Sequence, residues 1–266
     1  MIVAVIGGGK IGDAVARRVA LSTRVSQVIM TRKSAPENQA TLAKNLVMTR
    51  DNSSAAAKAS VVILAVKAGD AKGVLEEISG STSDKLVISL MAAISIKRLE
   101  RELPGAKIVR AMPNIAAKIG EAITAYAPSA GLGEKEISTV ELILSCFGDC
   151  VQVSESLMDA VTALSGSGPA YIAVLIDALV TAGLKVGLPR DIALKLAIKT
   201  LTGTANMLAH TTMHPAELRD TVTTPAGTTI AGIYELEKGS FRTSIINAVE
   251  AATYAAERVA KKFESE

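Results

Sequence analysis

Three short stretches of this 266-residue chain place small residues where a backbone must come close to something else. Gly7, Gly9 and Gly12 form G-x-G-x-x-G, directly after an apolar run and directly before a stretch with helical spacing. The first glycine allows a tight turn, the second lets backbone approach a pyrophosphate, and the third lets helix and strand pack closely. The phosphates then lie on the helix N-terminus, on the amides of Gly7, Gly8, Gly9, Lys10, Ile11 and Gly12, where unpaired N–H groups and the dipole attract negative charge. A lone motif of this kind is weak, but its place between a strand and a helix at the start of a chain makes it specific. The other two stretches, LSGSGPAY at Leu164–Tyr171 and VTTPAGTTIAG at Val222–Gly232, gather glycine, proline and hydroxyls where helices should begin. Behind a nucleotide-binding half, they suit a small anionic substrate held against a nicotinamide ring.

The end of the second strand decides which nucleotide is bound. An NAD site carries an acid there for the ribose hydroxyls, whereas this chain reads Thr31-Arg32-Lys33-Ser34, with no acid before Glu37. Arg32 can pair with a 2′-phosphate and Lys33 adds charge, so NADPH is expected, with NADH as the alternative. An exposed basic loop is the competing reading. Ala65, Val66 and Lys67 follow another buried strand, at the carboxyl edge where such sheets bind ligands, and Met91, Ala92 and Ala93 follow the next. A solvated loop lysine remains open for Lys67.

No arginine stands out as a partner for a substrate carboxylate. The loop from Thr224 to Thr229 can supply one instead, through the N–H groups of Gly227, Thr228 and Thr229 and through threonine hydroxyls. Ordinary helix capping accounts for the same threonines, and both roles can hold at once. His210 and His214 sit in or beside a helix end and read as structural. Cys146 and Cys150 are too few for a disulfide framework or a four-ligand zinc site. They read as small buried hydrophobes, with a local disulfide open only if Gly148 breaks the helix between them.

The elements that carry these residues alternate. Strands are expected at Ile2–Ile6, Val25–Met30, Leu46–Thr49, Val61–Val66, Leu86–Leu90, Ile108–Ala111 and Ile123–Ala127. Helices are expected at Asp13–Leu21, from about Pro36 to Lys44, at Ser54–Lys58 and at Asp70–Ile78. That alternation means a mostly parallel, doubly wound sheet. Beyond Glu134 come a helix at Ser138–Cys146 and a last strand at Cys150–Val153, then only helices: Leu157–Ser165, Pro169–Val186, Arg190–Ala209, Pro215–Asp220, Thr228–Lys238 and Phe241–Phe263. Pro169 and Pro215 fit first helical positions, where a missing N–H costs nothing. The fold class is therefore α/β, an N-terminal Rossmann-type doubly wound sheet (1–153) followed by an all-α domain (154–266).

Composition bounds the partners. Net charge is +3, and there are four Tyr, three Phe and no Trp. Basic pairs are isolated and lack interleaved aromatics, which argues against nucleic-acid binding. No signal peptide is recognisable, so the cytoplasm is the expected location. The apolar run Ala170–Leu188 contains Asp177, Gly183 and Lys185, and reads as a helix buried in protein and not in a membrane. Helices Pro169–Val186 and Arg190–Ala209 are too apolar for a domain of about 110 residues to cover alone. A partner subunit is the simplest cover, and a self-contained bundle the alternative.

AVK at Ala65–Lys67, LMDAVTALSGSGPAY at Leu157–Tyr171, AGLKVGLPR at Ala182–Arg190, HPAELRD at His214–Asp220 and TTPAGTTIAG at Thr223–Gly232 closely resemble pyrroline-5-carboxylate reductase, through essentially the whole chain. The resemblance implies NAD(P)H-dependent reduction of 1-pyrroline-5-carboxylate to L-proline, the last step of proline biosynthesis. It also implies a helical dimerisation domain, with homodimers often assembled into larger rings. The cofactor contacts it implies are Gly7–Ile11, Arg32 with Lys33, Asn52, Ala65–Lys67 and Met91–Ala93. The substrate contacts are Glu155, Asp220 with Thr221, and the loop Thr224–Thr229, with Thr229 the residue expected to serve catalysis. Reducing a cyclic imine needs mainly positioning, which suits a chain with no evident His–Asp pair or metal cluster.

Three departures from the resemblance stand out. Met91-Ala92-Ala93 replaces the usual Ala-Ala-Gly, Ile115-Ala116 replaces Thr-Pro, and Thr224 and Ala226 replace Ser and the first Gly of the substrate loop. Ala226 is expected to avoid the positive φ that glycine would tolerate. A β-hydroxyacid dehydrogenase is a rival, but Ile172 stands where its catalytic lysine belongs. A pyridine-nucleotide sensor is a second rival, and it has no use for the substrate loop.

Overall fold

The computed structural model describes residues 1–33 and 43–264. The helix expected from about Pro36, together with Ser34 and Glu37, falls on 34–42, outside the described residues.

Short apolar runs bounded by glycine or polar residues form the strands β1 (Ile2–Ile6), β2 (Gln27–Thr31), β3 (Leu46–Thr49), β4 (Val61–Leu64), β5 (Leu86–Ser89), β6 (Lys107–Pro113), β7 (Ala122–Pro128) and β8 (Gly148–Gln152). They build one sheet in the order β3-β2-β1-β4-β5-β6-β7-β8. β1 to β6 are parallel, β7 runs antiparallel to β6, and β8 is parallel to β7. Each face carries an apolar core, one built on Val3, Val5, Val15 and Ile88, the other on Ile6, Leu64, Leu75 and Leu99. Such double cover accounts for strands that are hydrophobic on both sides. The helices are α1 (Lys10–Val19), α2 (Asn52–Lys58), α3 (Ala71–Ile78), α4 (Ile96–Glu102) and α5 (Glu134–Leu144).

α4 is an addition to the sequence reading. Ser95 caps it by accepting the Arg98 N–H at 3.2 Å, and Ile96 and Leu99 are its apolar anchors. Cys146 and Cys150 are free and partly buried, so the local disulfide is not formed.

The remainder is helical: α6 (Met158–Val161), a π-helical segment Thr162–Gly166, α7 (Gly168–Lys185), α8 (Arg190–His210), α9 (Pro215–Thr221), α10 (Thr228–Lys238) and α11 (Phe241–Glu264). Pro215 takes the first position of α9, whereas α7 already begins at Gly168, one residue before Pro169.

The chain forms two compact units, Met1–Ser167 with Ala251–Glu266, and Gly168–Glu250. The end of α11 belongs to the first unit because Phe263 packs on the second of its two cores and its carbonyl accepts from Arg98 Nη1. In the second unit α7 and α8 cross closely at Gly183, where a Cβ would stand 2.8 Å from that of Ala193. The stretch Glu155–Lys185 has the length and composition to cross a membrane. The single chain buries only Val180 and Gly183 of α7, so the buried helix read from sequence is not buried by this chain alone.

Candidate active site

β1 lies between β2 and β4, the point where strand order reverses and where open α/β sheets bind ligands at their carboxyl ends. The three glycines divide the work there. Gly7 has φ of 103°, and a Cβ on it would meet Val66 Cγ1 at 2.6 Å. A Cβ on Gly12 would collide with the Gly7 carbonyl, while one on Gly9 would meet nothing within 4 Å. Gly7 and Gly12 therefore close helix onto strand, and Gly9, the N-cap of α1, keeps the space before the helix open. Thr31 pins this turn: its hydroxyl accepts the Gly7 N–H at 3.1 Å and its carbonyl the Gly8 N–H at 2.7 Å. That leaves the first-turn N–H groups of Lys10, Ile11 and Gly12 without intrahelical partners, as at any helix start. An open space in front of such groups fits a dinucleotide pyrophosphate.

A cleft of about 370 Å³ opens from this turn. Gly7, Gly8 and Gly9 form one wall, and Ala65, Val66 and Lys67 another. Thr31, Arg32 and Lys33 extend it, with Asn52, Arg50, Asp70 and Val74 completing the lining. The structure thus brings together the glycine turn, the residues ending β2, Asn52 and the segment after β4, all singled out in the sequence. Arg50 and Asp70 were not singled out. Met91 and Ala93 are buried and Ala92 is exposed, and none of the three lines this cleft. Groups with displaced ionisation lie elsewhere in the fold: burial pushes the Cys146 and Cys150 thiols up and the Lys85 ammonium down.

Glu155 is tied into the first unit. Its Oε1 accepts the Ile96 N–H at 2.7 Å and an Arg110 N–H at 3.3 Å. Arg110 is buried, and Asp159 lies 3.8 Å from it, so Glu155 also neutralises a charge inside the fold.

In the second unit, α10 begins at Gly227, its N-cap. The Gly227 N–H is spent on the Thr224 carbonyl at 3.0 Å, which removes it from the expected anion nest. The N–H groups of Thr228, Thr229 and Ile230, at the first turn of α10, are the ones without intrahelical partners. Ala226 has φ of 57°, so the expectation that it avoids positive φ is overturned: the turn onto α10 imposes the left-handed geometry on whatever residue stands there. Ala93 is likewise at φ of 67°. At both departures an alanine occupies backbone that suits glycine. The Asp220 carboxylate pairs with Arg219 at 2.6 Å, and the Thr221 hydroxyl donates to the Glu217 carbonyl at 2.8 Å. His214 caps α9 by accepting the Ala216 N–H at 3.2 Å.

A glycine-turn cleft at the switch point of a mostly parallel sheet, lined also by Arg32, Lys33 and Arg50, has the form of a dinucleotide-binding site. Residues 2–93 match the family described as NADP oxidoreductase, coenzyme F420-dependent, and residues 155–259 match pyrroline-5-carboxylate reductase dimerisation. The chain is 41% identical over 261 residues to the pyrroline-5-carboxylate reductase of Synechocystis sp., covering 97% of this chain and 98% of that one. It is 42% identical over 217 residues to the enzyme of Methanosarcina acetivorans, covering 81% and 80%. The crystal structure of Plasmodium falciparum pyrroline carboxylate reductase with NADP bound superposes with a TM-score of 0.89 at 30% identity, covering 98% of each chain. The chain belongs to the pyrroline-5-carboxylate reductase family.

Proposed function

We propose that this protein reduces 1-pyrroline-5-carboxylate to L-proline with NADPH, the last step of proline biosynthesis. The observation that carries the reading is the open space before Gly9, set between backbone donors and a cationic cleft end, in a chain matched by reductase relatives over nearly its whole length. NADPH, when bound, supplies a hydride. The chain's own residues bind and orient. The first-turn amides of α1 hold the pyrophosphate, and Arg32 with Lys33 forms the cationic end that favours a 2′-phosphate over the bare ribose of NADH. Asn52, Ala65, Val66 and Lys67 line the remainder, and Met91, Ala92 and Ala93 are assigned to the nicotinamide end.

The substrate enters as a ring protonated on nitrogen, so its imine carbon is electrophilic. Hydride adds to that carbon, the C=N π pair moves to nitrogen, and a secondary amine results. What the protein contributes is position. The amides of Thr228 and Thr229 hold the carboxylate, and the Thr229 hydroxyl donates to the bound ring. Thr224, Gly227, Asp220, Thr221 and Glu155 complete the assigned substrate contacts.

The functional boundary is placed at 153/154, with cofactor binding before it and dimerisation and substrate binding after it. The two matched families, at 2–93 and 155–259, support that division. A cytoplasmic homodimer accompanies the reading. The exposed apolar residues of α7 and α8 support a partner subunit. Purified protein should oxidise NADPH only when pyrroline carboxylate is present and yield one proline per NADPH; no oxidation would contradict the assignment.

A further inference from the structure

The sequence gives the phosphate-reading task to Arg32 and Lys33, and the structure redistributes that charge. Lys33 Nζ lies 2.9 Å from Asp70 Oδ1 in an exposed ion pair, so a bound anion shares this ammonium with a carboxylate already beside it. β2 and β3 pair in parallel with Thr31 opposite Thr49, and the Arg32 N–H donates to the Thr49 carbonyl at 3.1 Å. The residues that follow this register pair are Arg32 and Arg50. They leave adjacent strand ends side by side and line the same cleft. Asp51, next in the chain, spends its carboxylate on the Ser54 N–H at 2.8 Å. Among the described residues, neither guanidinium forms an ion pair.

We infer that Arg50 is the second arm of the 2′-phosphate site, acting with Arg32, and that Lys33 held by Asp70 contributes less. The inference rests on the NADPH reading above. Two planar guanidinium groups converging on one tetrahedral dianion can each offer paired N–H donors, which a single ammonium cannot. NADH lacks that dianion and offers the two guanidinium groups no anion to share. Arg50 therefore acts on cofactor choice rather than on dinucleotide binding in general.

Calorimetric titration of the intact protein with NADPH, NADH and adenosine 2′,5′-bisphosphate tests this without turnover. Arg50→Ala should weaken NADPH and the bisphosphate by about 10- to 100-fold, the loss of a hydrogen-bonded contact to a charged group. NADH affinity should stay within about twofold, and Lys33→Ala should weaken NADPH less than Arg50→Ala does. Equal weakening of both dinucleotides by Arg50→Ala, no weakening of either, or a larger effect of Lys33→Ala would overturn the inference. Unaltered protein that bound neither dinucleotide would overturn the NADPH reading itself, and this inference with it.

Discussion

Gly12 stands so close to Gly7 that a Cβ on it would run into the Gly7 carbonyl oxygen, although the next glycine of the same motif, Gly9, faces open space. The motif thus contains two different constraints, one on folding and one on binding. Gly12→Ala should destabilise the protein with no ligand present, by about 1–3 kcal/mol for a forced overpacking. Gly9→Ala should cost under about 1 kcal/mol as a poorer helix cap but weaken NADPH on the order of tenfold. Thermal unfolding and NADPH titration of both variants check this; an unstable Gly9→Ala or a stable Gly12→Ala would reverse the assignment.

Ala93 and Ala226 occupy left-handed backbone, with φ of 67° and 57°. That geometry costs a residue with a Cβ about 1–2 kcal/mol, and glycine's extra freedom in the unfolded chain returns about 0.5–1 kcal/mol of that. Ala93→Gly and Ala226→Gly should each raise stability by about 0–1.5 kcal/mol, the difference of those two effects. Urea unfolding at fixed protein concentration measures it, and a fall in midpoint would count against the strain.

Leu196 is 52% exposed on α8, whereas its neighbour Ala197 is 7% exposed and packs in the α7–α8 cluster. A charge at Ala197 would break the chain's own packing whether or not a partner binds. Leu196→Glu tests the proposed interface: light scattering should show the variant as monomer and the unaltered protein as dimer. An unaltered dimer carrying Leu196→Glu would place the interface elsewhere.

Thr229 lies in the first turn of α10, beside amides without intrahelical partners. Thr229→Ala should lower kcat/KM for pyrroline carboxylate by about 10- to 150-fold, the loss of a hydrogen bond to a charged ligand. NADPH affinity should hold, because the cleft proposed for it is lined by residues of the first unit, between positions 7 and 74. Normal turnover, or lost NADPH binding, would make the loop structural.

The sheet and the glycine turn were legible because buried strands and G-x-G-x-x-G write themselves in local composition. α4 was not: IKRLERE has only two apolar anchors, too short a stripe to announce a period. Arg50 is invisible in sequence because only the β2–β3 register brings it beside Arg32, eighteen positions away. The positive φ of Ala226 ran against the residue's own preference, so local reasoning pointed the wrong way. Glu155 entered as a substrate contact only through the resemblance, and its bonds to Ile96 and Arg110 arise from tertiary packing that local reasoning does not reach. The exposed apolar surface of α7 and α8 was legible from composition alone, because apolar residues on nearly every side of a helix leave no face for water.

The most direct test is the path of the hydride. NADPH deuterated at the transferable C4 position of its nicotinamide, incubated with the protein and pyrroline carboxylate, should give proline carrying one deuterium at Cδ, the ring carbon remote from the carboxylate. Mass spectrometry should find close to one label per proline formed. Unlabelled proline, or NADPH oxidation without proline, would contradict direct hydride transfer to the imine carbon and with it the proposed reaction.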